Sequence, residues 1–301
     1  MKLSIVTPTY GRAEKLVSIV KAFNVNYIEG IELIIVDDNG LGTLEQAKTQ
    51  RVLLPHLNDN VKYLALEYNS GAGLARNAGV ELAKGTYITF LDDDDELVYD
   101  ISLNKLQFAL DNDLDLICSD MFYRKGGLFV ENKRSKFLGV DAKEFLLNGN
   151  CWTPMIMLKK SLFNSLGGFE DTPYFQDHTF MLKVHLANIV VSYFPHKTFI
   201  HNDHSGKRIT GKRVNSKGIA TRLFYELRLK EMITLSRVEN KMFNFEVNRS
   251  EFFIAKIDKN LSFPKVLNYS RKQLYCANSM LDLARVLKDI VSGCSLLLGK
   301  R

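Results

Sequence analysis

Short apolar, β-rich runs recur at residues 2–7, 33–36, 61–66, 87–91 and 114–118 of this 301-residue chain, with helix-like stretches between them. Strand and helix signals in regular turn constrain the fold strongly: they lead to an α/β architecture with a mainly parallel central sheet flanked by helices. The helical stretches carry the matching period. Leu16, Ile19, Val20 and Phe23 share one face of residues 13–23, and Leu74, Ala78 and Leu82 share one face of residues 73–83. Beyond residue 121 the pattern loosens, and Gly126-Gly127 reads as a hairpin turn. A helix at 141–147, a strand at 154–158, helices at 160–166 and 176–187, and a strand at 189–194 follow. This α+β block is suited to form a second wall of a cleft. Residues 201–215 read as a polar, basic loop, and helical patterns return at 219–235 and from 271 onward.

Composition removes several function classes. An apolar content of 46% supports a real core, and no run approaches the roughly 18 apolar residues of a membrane span. Cys118, Cys151, Cys276 and Cys294 form no Cys-x-x-Cys pair, so neither a zinc knuckle nor a disulfide framework is indicated. The opening apolar run is short and broken by Pro8, unlike a signal peptide, so a cytoplasmic location with reduced thiols is expected. The net charge of +6 divides unevenly: residues 1–195 carry 19 Lys/Arg and 25 Asp/Glu, whereas residues 196–301 carry 21 and 9. Such a basic segment suits an anionic membrane or an anionic substrate. Nucleic acid is disfavoured, because no RNA-binding aromatic signature accompanies the charge.

Four features fall at the C-terminal ends of the expected strands, where open α/β sheets bind ligands. After the first strand, Thr7-Pro8-Thr9-Tyr10-Gly11-Arg12 combines a tight turn with an aromatic face. After the second, Asp37-Asp38-Asn39-Gly40 offers a carboxylate to a base N–H. After the third, residues 69–79 place Gly71 and Gly73 at the entry of a helix whose N-terminus favours anions, with Arg76 one turn in. This stretch lacks the Gly-Lys-Ser/Thr of a Walker loop and the spacing of a dinucleotide fingerprint. After the fourth strand come Asp92-Asp93-Asp94-Asp95-Glu96, five consecutive acids where a buried strand stops. Hard carboxylate oxygens at alternate positions suit Mg²⁺ or Mn²⁺ carrying a diphosphate.

In order, spacing and content these segments resemble the successive signatures of family 2 glycosyltransferases with the GT-A fold, and the likeness continues through Gly167-Gly168-Phe169-Glu170 and Gln176-Asp177. The resemblance implies a metal-dependent inverting transferase that uses a nucleotide-sugar, commonly a UDP-sugar, and a glycan or lipid-linked glycan acceptor. It implies that Thr7, Pro8, Tyr10, Arg12, Asp38, Gly71 and Arg76 line the nucleotide pocket, with Asp92 and Asp93 near the sugar nucleotide. Asp94, with Asp92 and a supporting Asp95, would hold the Mn²⁺ or Mg²⁺. Asp177 would be the general base, with Asp171 as runner-up, and Gln176 replaces the more usual acid before it. Lys207 and Arg208 would meet the diphosphate, and His204 or His201 the metal. Trp152 offers a stacking face for a sugar, or core packing. On this reading residues 1–120 form the nucleotide-sugar half, 121–205 the acceptor and catalytic-base half, and 206–301 a basic helical extension in peripheral contact with an anionic inner membrane face. Two alternatives stand beside it. One is a nucleotidyltransferase, whose Gly-rich basic loop is absent from residues 7–15; the other is a non-catalytic nucleic-acid or anion-binding module.

Overall fold

A computed structural model describes residues 1–203 and 215–298. The first half alternates strand and helix: β1 (Leu3–Thr9), α1 (Ala13–Val25), β2 (Ile31–Asp37), α2 (Leu44–Leu53), β3 (Val61–Ala65), α3 (Ala72–Leu82) and β4 (Tyr87–Phe90). A short β5 (Glu96–Leu97), α4 (Tyr99–Asp111), β6 (Leu116–Lys125), β7 (Leu128–Phe129), α5 (Ala142–Asn148), β8 (Ile156–Lys159), α6 (Lys160–Ser165), α7 (Gln176–Leu186) and β9 (Ser192–Asp203) complete the sheet region. Four helices close the chain: α8 (Lys217–Glu231), α9 (Arg237–Ile257), α10 (Phe263–Cys276) and α11 (Met280–Leu298).

The strands form one sheet in the order β3-β2-β1-β4-β8-β6-β9-β5, with β7 paired to β6. Pairing is parallel from β3 through β4 and turns antiparallel at β8. Every residue of β1 and β2 is buried, as strands covered by helices on both faces must be. Side-chain alternation then divides the core. Leu3, Ile5, Leu33 and Ile35 pack with Leu16, Val20 and Phe23 of α1 and Leu106 of α4. Val6, Ile34 and Val36 face the other way, toward Ala75 and Val80 of α3, in a core that also holds Phe163 of α6 and Phe180 of α7. Gly79 permits this second layer to close: a Cβ there would stand 2.4 Å from Cγ1 of Val6 and 2.9 Å from Cγ2 of Val36.

The expected strands and the hairpin at Gly126-Gly127 are present, with β6 and β7 paired antiparallel across that turn. Two differences matter for the site. Strand β9 starts at Ser192 and runs to Asp203, parallel to β6 with a register shift around Asp120. His201 therefore sits in a strand and not in the expected loop. Helices α2 and α4 occupy helix-like stretches for which no apolar stripe or bounds were given, and α9 was not anticipated, because their inward faces mix polar and apolar residues: Gln46 and Thr49 in α2, Ser102 and Lys105 in α4, Ser250 in α9.

Candidate active site

The C-terminal ends of β1, β2 and β4 and the loop between β3 and α3 meet at one edge of the sheet. Asp38, just past β2, is buried, and its carboxylate ties this edge together. It accepts hydrogen bonds from the backbone N–H of Ser70 (2.6 Å) and Gly71 (2.8 Å) and from the Asn69 side chain (3.1 Å). Burial pushes its carboxyl upward, opposed by those two N–H donors. Gly71 has φ +87°, which favours glycine, and it directly precedes α3. Thr7 and Pro8 lie within β1, while the Tyr10 ring is exposed beside the cleft.

The acids after β4 separate as soon as the chain leaves the sheet, and each meets a different partner. Asp92 accepts from Nη2 of Arg76 at 2.5 Å. Asp93 is buried and accepts from Thr9 Oγ1 (2.8 Å) and Arg12 Nη1 (2.6 Å). Burial pushes its carboxyl up to about 6 against the pull of Arg12. Asp94 accepts from the same Arg12 nitrogen at 2.5 Å. Asp95 is buried next to His201, with Nδ1 3.1 Å from its Oδ1, and accepts from the backbone N–H of Asn202 at 3.1 Å. Burial raises the Asp95 carboxyl; it also pulls the His201 imidazole down, but the bond and charge of Asp95 outweigh that and raise it. Asp92, Asp94 and Asp95 can each offer a carboxylate oxygen with all three within 4.8 Å of one another. Three hard oxygens at that spacing fit a divalent cation such as Mg²⁺ or Mn²⁺.

Asp177 enters from the other half, in the first turn of α7. Its carboxylate accepts from the backbone N–H of His178 at 2.7 Å, and it lies within the electrostatic field of both Arg76 and Asp92. Desolvation raises its carboxyl and repulsion from Asp92 adds to that, while His178 and Arg76 oppose the rise. Asp171, the runner-up, is exposed and paired with Lys217 at 2.6 Å. Three contacts tie α3 to the start of α7 and to the turn that precedes it. Arg76 donates to Gln176 Oε1 at 3.2 Å, and Asn77 exchanges hydrogen bonds of 2.9 Å with the backbone of Phe169 in both directions. Phe175, just before α7, is held at φ +64° with the Arg222 guanidinium 4.4 Å above its ring. Such backbone costs a non-glycine residue about 1–3 kcal/mol and recurs at functional sites.

The structure thus brings Arg12, Arg76, Asp92, Asp93, Asp94 and Asp95 together at one edge of the sheet, with Asp177 next to Gln176, which Arg76 bonds. His204, Lys207 and Arg208 lie outside the described residues. The single tryptophan, Trp152, packs against the core, and its ring centroid lies 4.5 Å from that of His201. Sequence reasoning passed over Asn202, which also donates to the Asp94 carbonyl at 2.9 Å, and over Arg222 and the bridging role of Gln176. Asn202 and Gln176 had only their adjacency to His201 and Asp177 as a signal, and Arg222 had none.

Three comparisons bear on this arrangement. The chain is 27% identical over 202 residues to the GalNAc(5)-diNAcBac-PP-undecaprenol beta-1,3-glucosyltransferase of Campylobacter jejuni, a match covering 66% of this chain and 63% of that relative's length. An uncharacterized glycosyltransferase of Haemophilus influenzae is 24% identical over 96% of this chain and 92% of its own. Among solved structures, S. aureus TarS in complex with UDP-GlcNAc has the same fold, with a TM-score of 0.64 at 18% identity over 90% of this chain and 79% of that one. The profile of Glycosyl transferase family 2 matches residues 4–170, more than half of the chain, from β1 through the acids after β4 to the turn at Gly167-Gly168. On that match the chain belongs to glycosyl transferase family 2.

Proposed function

We propose that this chain is a metal-dependent, inverting glycosyltransferase that moves a sugar from a UDP-sugar to a hydroxyl of a glycan or lipid-linked glycan. The observation that carries the reading is the Arg76 bridge, which bonds Asp92 after β4 and Gln176, the residue directly before Asp177. A base and a leaving-group site then face the reacting carbon from different sides. Support for the donor class comes from the UDP-GlcNAc bound by TarS, and support for the acceptor class from the polyprenyl-linked glycan in the name of the Campylobacter relative.

On this reading Asp177 accepts the proton of the acceptor hydroxyl as its oxygen attacks the anomeric carbon. The bond from that carbon to the diphosphate oxygen breaks on the opposite face, and the nucleoside diphosphate departs with inverted configuration left behind. Asp92, Asp94 and Asp95 would hold the Mn²⁺ or Mg²⁺, which when bound neutralises charge on the departing diphosphate. Arg76 and Arg12 hold Asp92 and Asp94 in place, and Asp38 fixes the loop that opens α3 toward the nucleotide.

The test separates donor from acceptor chemistry. Asp177→Asn should leave UDP-sugar affinity within about twofold while lowering transfer about 10²–10⁴-fold, the usual worth of a positioned base. Full turnover by this variant would sink the assignment of the base. A screen of UDP-, GDP- and dTDP-sugars in the presence of Mn²⁺ fixes the donor; absence of metal-dependent binding for all three would sink the donor-class reading.

A further inference from the structure

We propose that the outward faces of α10 and α11 form a docking surface for an anionic lipid bilayer. The proposal deepens the lipid-linked acceptor reading and rests on it for its purpose, but the binding is measured without turnover.

These two helices carry apolar residues on their exposed sides as well as on their buried ones. On α11, Leu283, Leu287 and Val291 recur at helical spacing and are exposed, Leu287 by 64% and Val291 by 67%. Its inward face carries Val286 together with Asp289, 3% exposed and held by Arg249 at 3.0 Å, and Gly293. On α10, Phe263, Leu267 and Leu274 are exposed, Leu267 by 72%. Its inward face carries Val266 and Cys276 beside Ser270 and Gln273, and the Gln273 amide finds no hydrogen-bond partner among the described residues although it is buried. A helix that serves only a core turns its apolar stripe inward. Here a second set of apolar residues is left uncovered among the described residues, in addition to those turned inward.

Charge selects the partner. Lys265, Arg271 and Lys272 of α10 and Lys288 of α11 are exposed, whereas the two acids of these helices, Asp282 and Asp289, are not and are paired with Arg285 and Arg249. The outer surface of the helix pair therefore combines apolar stripes with cations alone. That is the chemistry of an interfacial helix on a bilayer bearing anionic headgroups. No helix among the described residues is long and apolar enough to cross a membrane, so contact would be with one surface of the bilayer.

The experiment is flotation of the full chain with vesicles of phosphatidylcholine alone and of phosphatidylcholine doped with phosphatidylglycerol. The wild type should float with the anionic vesicles and lose that binding as salt rises. Leu267→Glu with Leu287→Glu should weaken binding at least about tenfold. Lys272→Gln with Lys288→Gln should also weaken it and flatten the salt dependence. These side chains are exposed, so UDP-sugar affinity in solution and the melting transition should stay at wild-type values; donor affinity that fails in the wild type while flotation holds would count against the transferase reading alone. Two results overturn the docking surface. One is wild-type protein that stays with the soluble fraction at low salt. The other is a solution dimer that Leu287→Glu returns to monomer, which would give the stripes to a second copy of the chain.

Discussion

Asp177 is partly accessible from the cleft yet surrounded by protein, and desolvation is the first reason its carboxyl titrates above the usual range. For a base, that shift has a visible consequence. Transfer should fall on acidification at a pH above the ordinary carboxylate range, on a limb that Asp177→Asn removes; a flat kcat profile between pH 4 and 8 in the wild type would contradict the assignment. The same shift has a sign for stability. A carboxyl raised in the fold favours the folded state at pH below its unfolded value, and that contribution is lost as pH rises through the folded value. Asp177→Asn, which cannot ionise, should therefore melt higher than the wild type at pH 8, with the gap closing toward pH 4. Equal Tm values at pH 8 would mean the carboxylate is not desolvated. Asp94 tests the other side of the bond. Asp94→Ala removes one of three clustered oxygens and frees Arg12 from one partner, so the Mn²⁺ concentration that half-saturates UDP binding should rise about tenfold or more. Calorimetric titration reads it directly.

At the scale of elements, the sheet edge depends on how closely α3 lies on β1 and β2. A methyl at Gly79 would overlap Val6 and Val36, and overpacking of this kind costs about 1–3 kcal/mol, against roughly 1 kcal/mol regained from the better helix propensity of alanine. Gly79→Ala should lower the urea midpoint and weaken UDP binding together, because Gly71 and Arg76 ride on the same helix. An unchanged midpoint would mean α3 has room to shift. Legibility in the sequence follows the same physics. Strands β1 to β4 and helices α1 and α3 were readable because both faces of a covered parallel sheet demand apolar residues at fixed periods. The buried face and bounds of helix α4 were not, since Lys105 sits on that face and donates to Ser119 (2.9 Å) and the Met155 carbonyl (2.7 Å), a pairing that only the fold supplies. The acids after β4 were conspicuous as a run, but their division among Arg76, Arg12 and His201 depends on β1, α3 and β9 arriving from far along the chain. Nothing near residue 92 encodes it.

For the whole molecule, the basic C-terminal segment divides at α9. Its distal helices build small cores of their own around Phe252 and Phe245, but its first part is built into the main one. Leu229, Leu235 and Phe243 are buried with Phe145, Phe163 and Phe180. Helix α8 also braces the turn before Asp177: Arg222 covers Phe175, Tyr225 donates to Glu170 at 2.9 Å, and Glu226 stands 3.5 Å from His178. Burying Leu229, Leu235 and Phe243 contributes roughly 5–9 kcal/mol, which is comparable with the whole net stability of an ordinary domain, about 5–15 kcal/mol. A chain ended at residue 214 should therefore lose cooperative melting followed by near-ultraviolet circular dichroism. A chain ended at residue 259, after α9, should keep a cooperative transition at reduced Tm, since Leu229, Leu235 and Phe243 remain while Phe252 and Phe245 lose their cover. Cooperative melting of the shorter chain would show that α8 is an appendage and that the conformation of Phe175 and the placement of Asp177 are fixed from within the sheet region alone. Failure of the shorter chain with survival of the longer one would place the boundary of the catalytic unit inside the basic segment, at the end of α9, because the side chains that complete the core around α7 are supplied there.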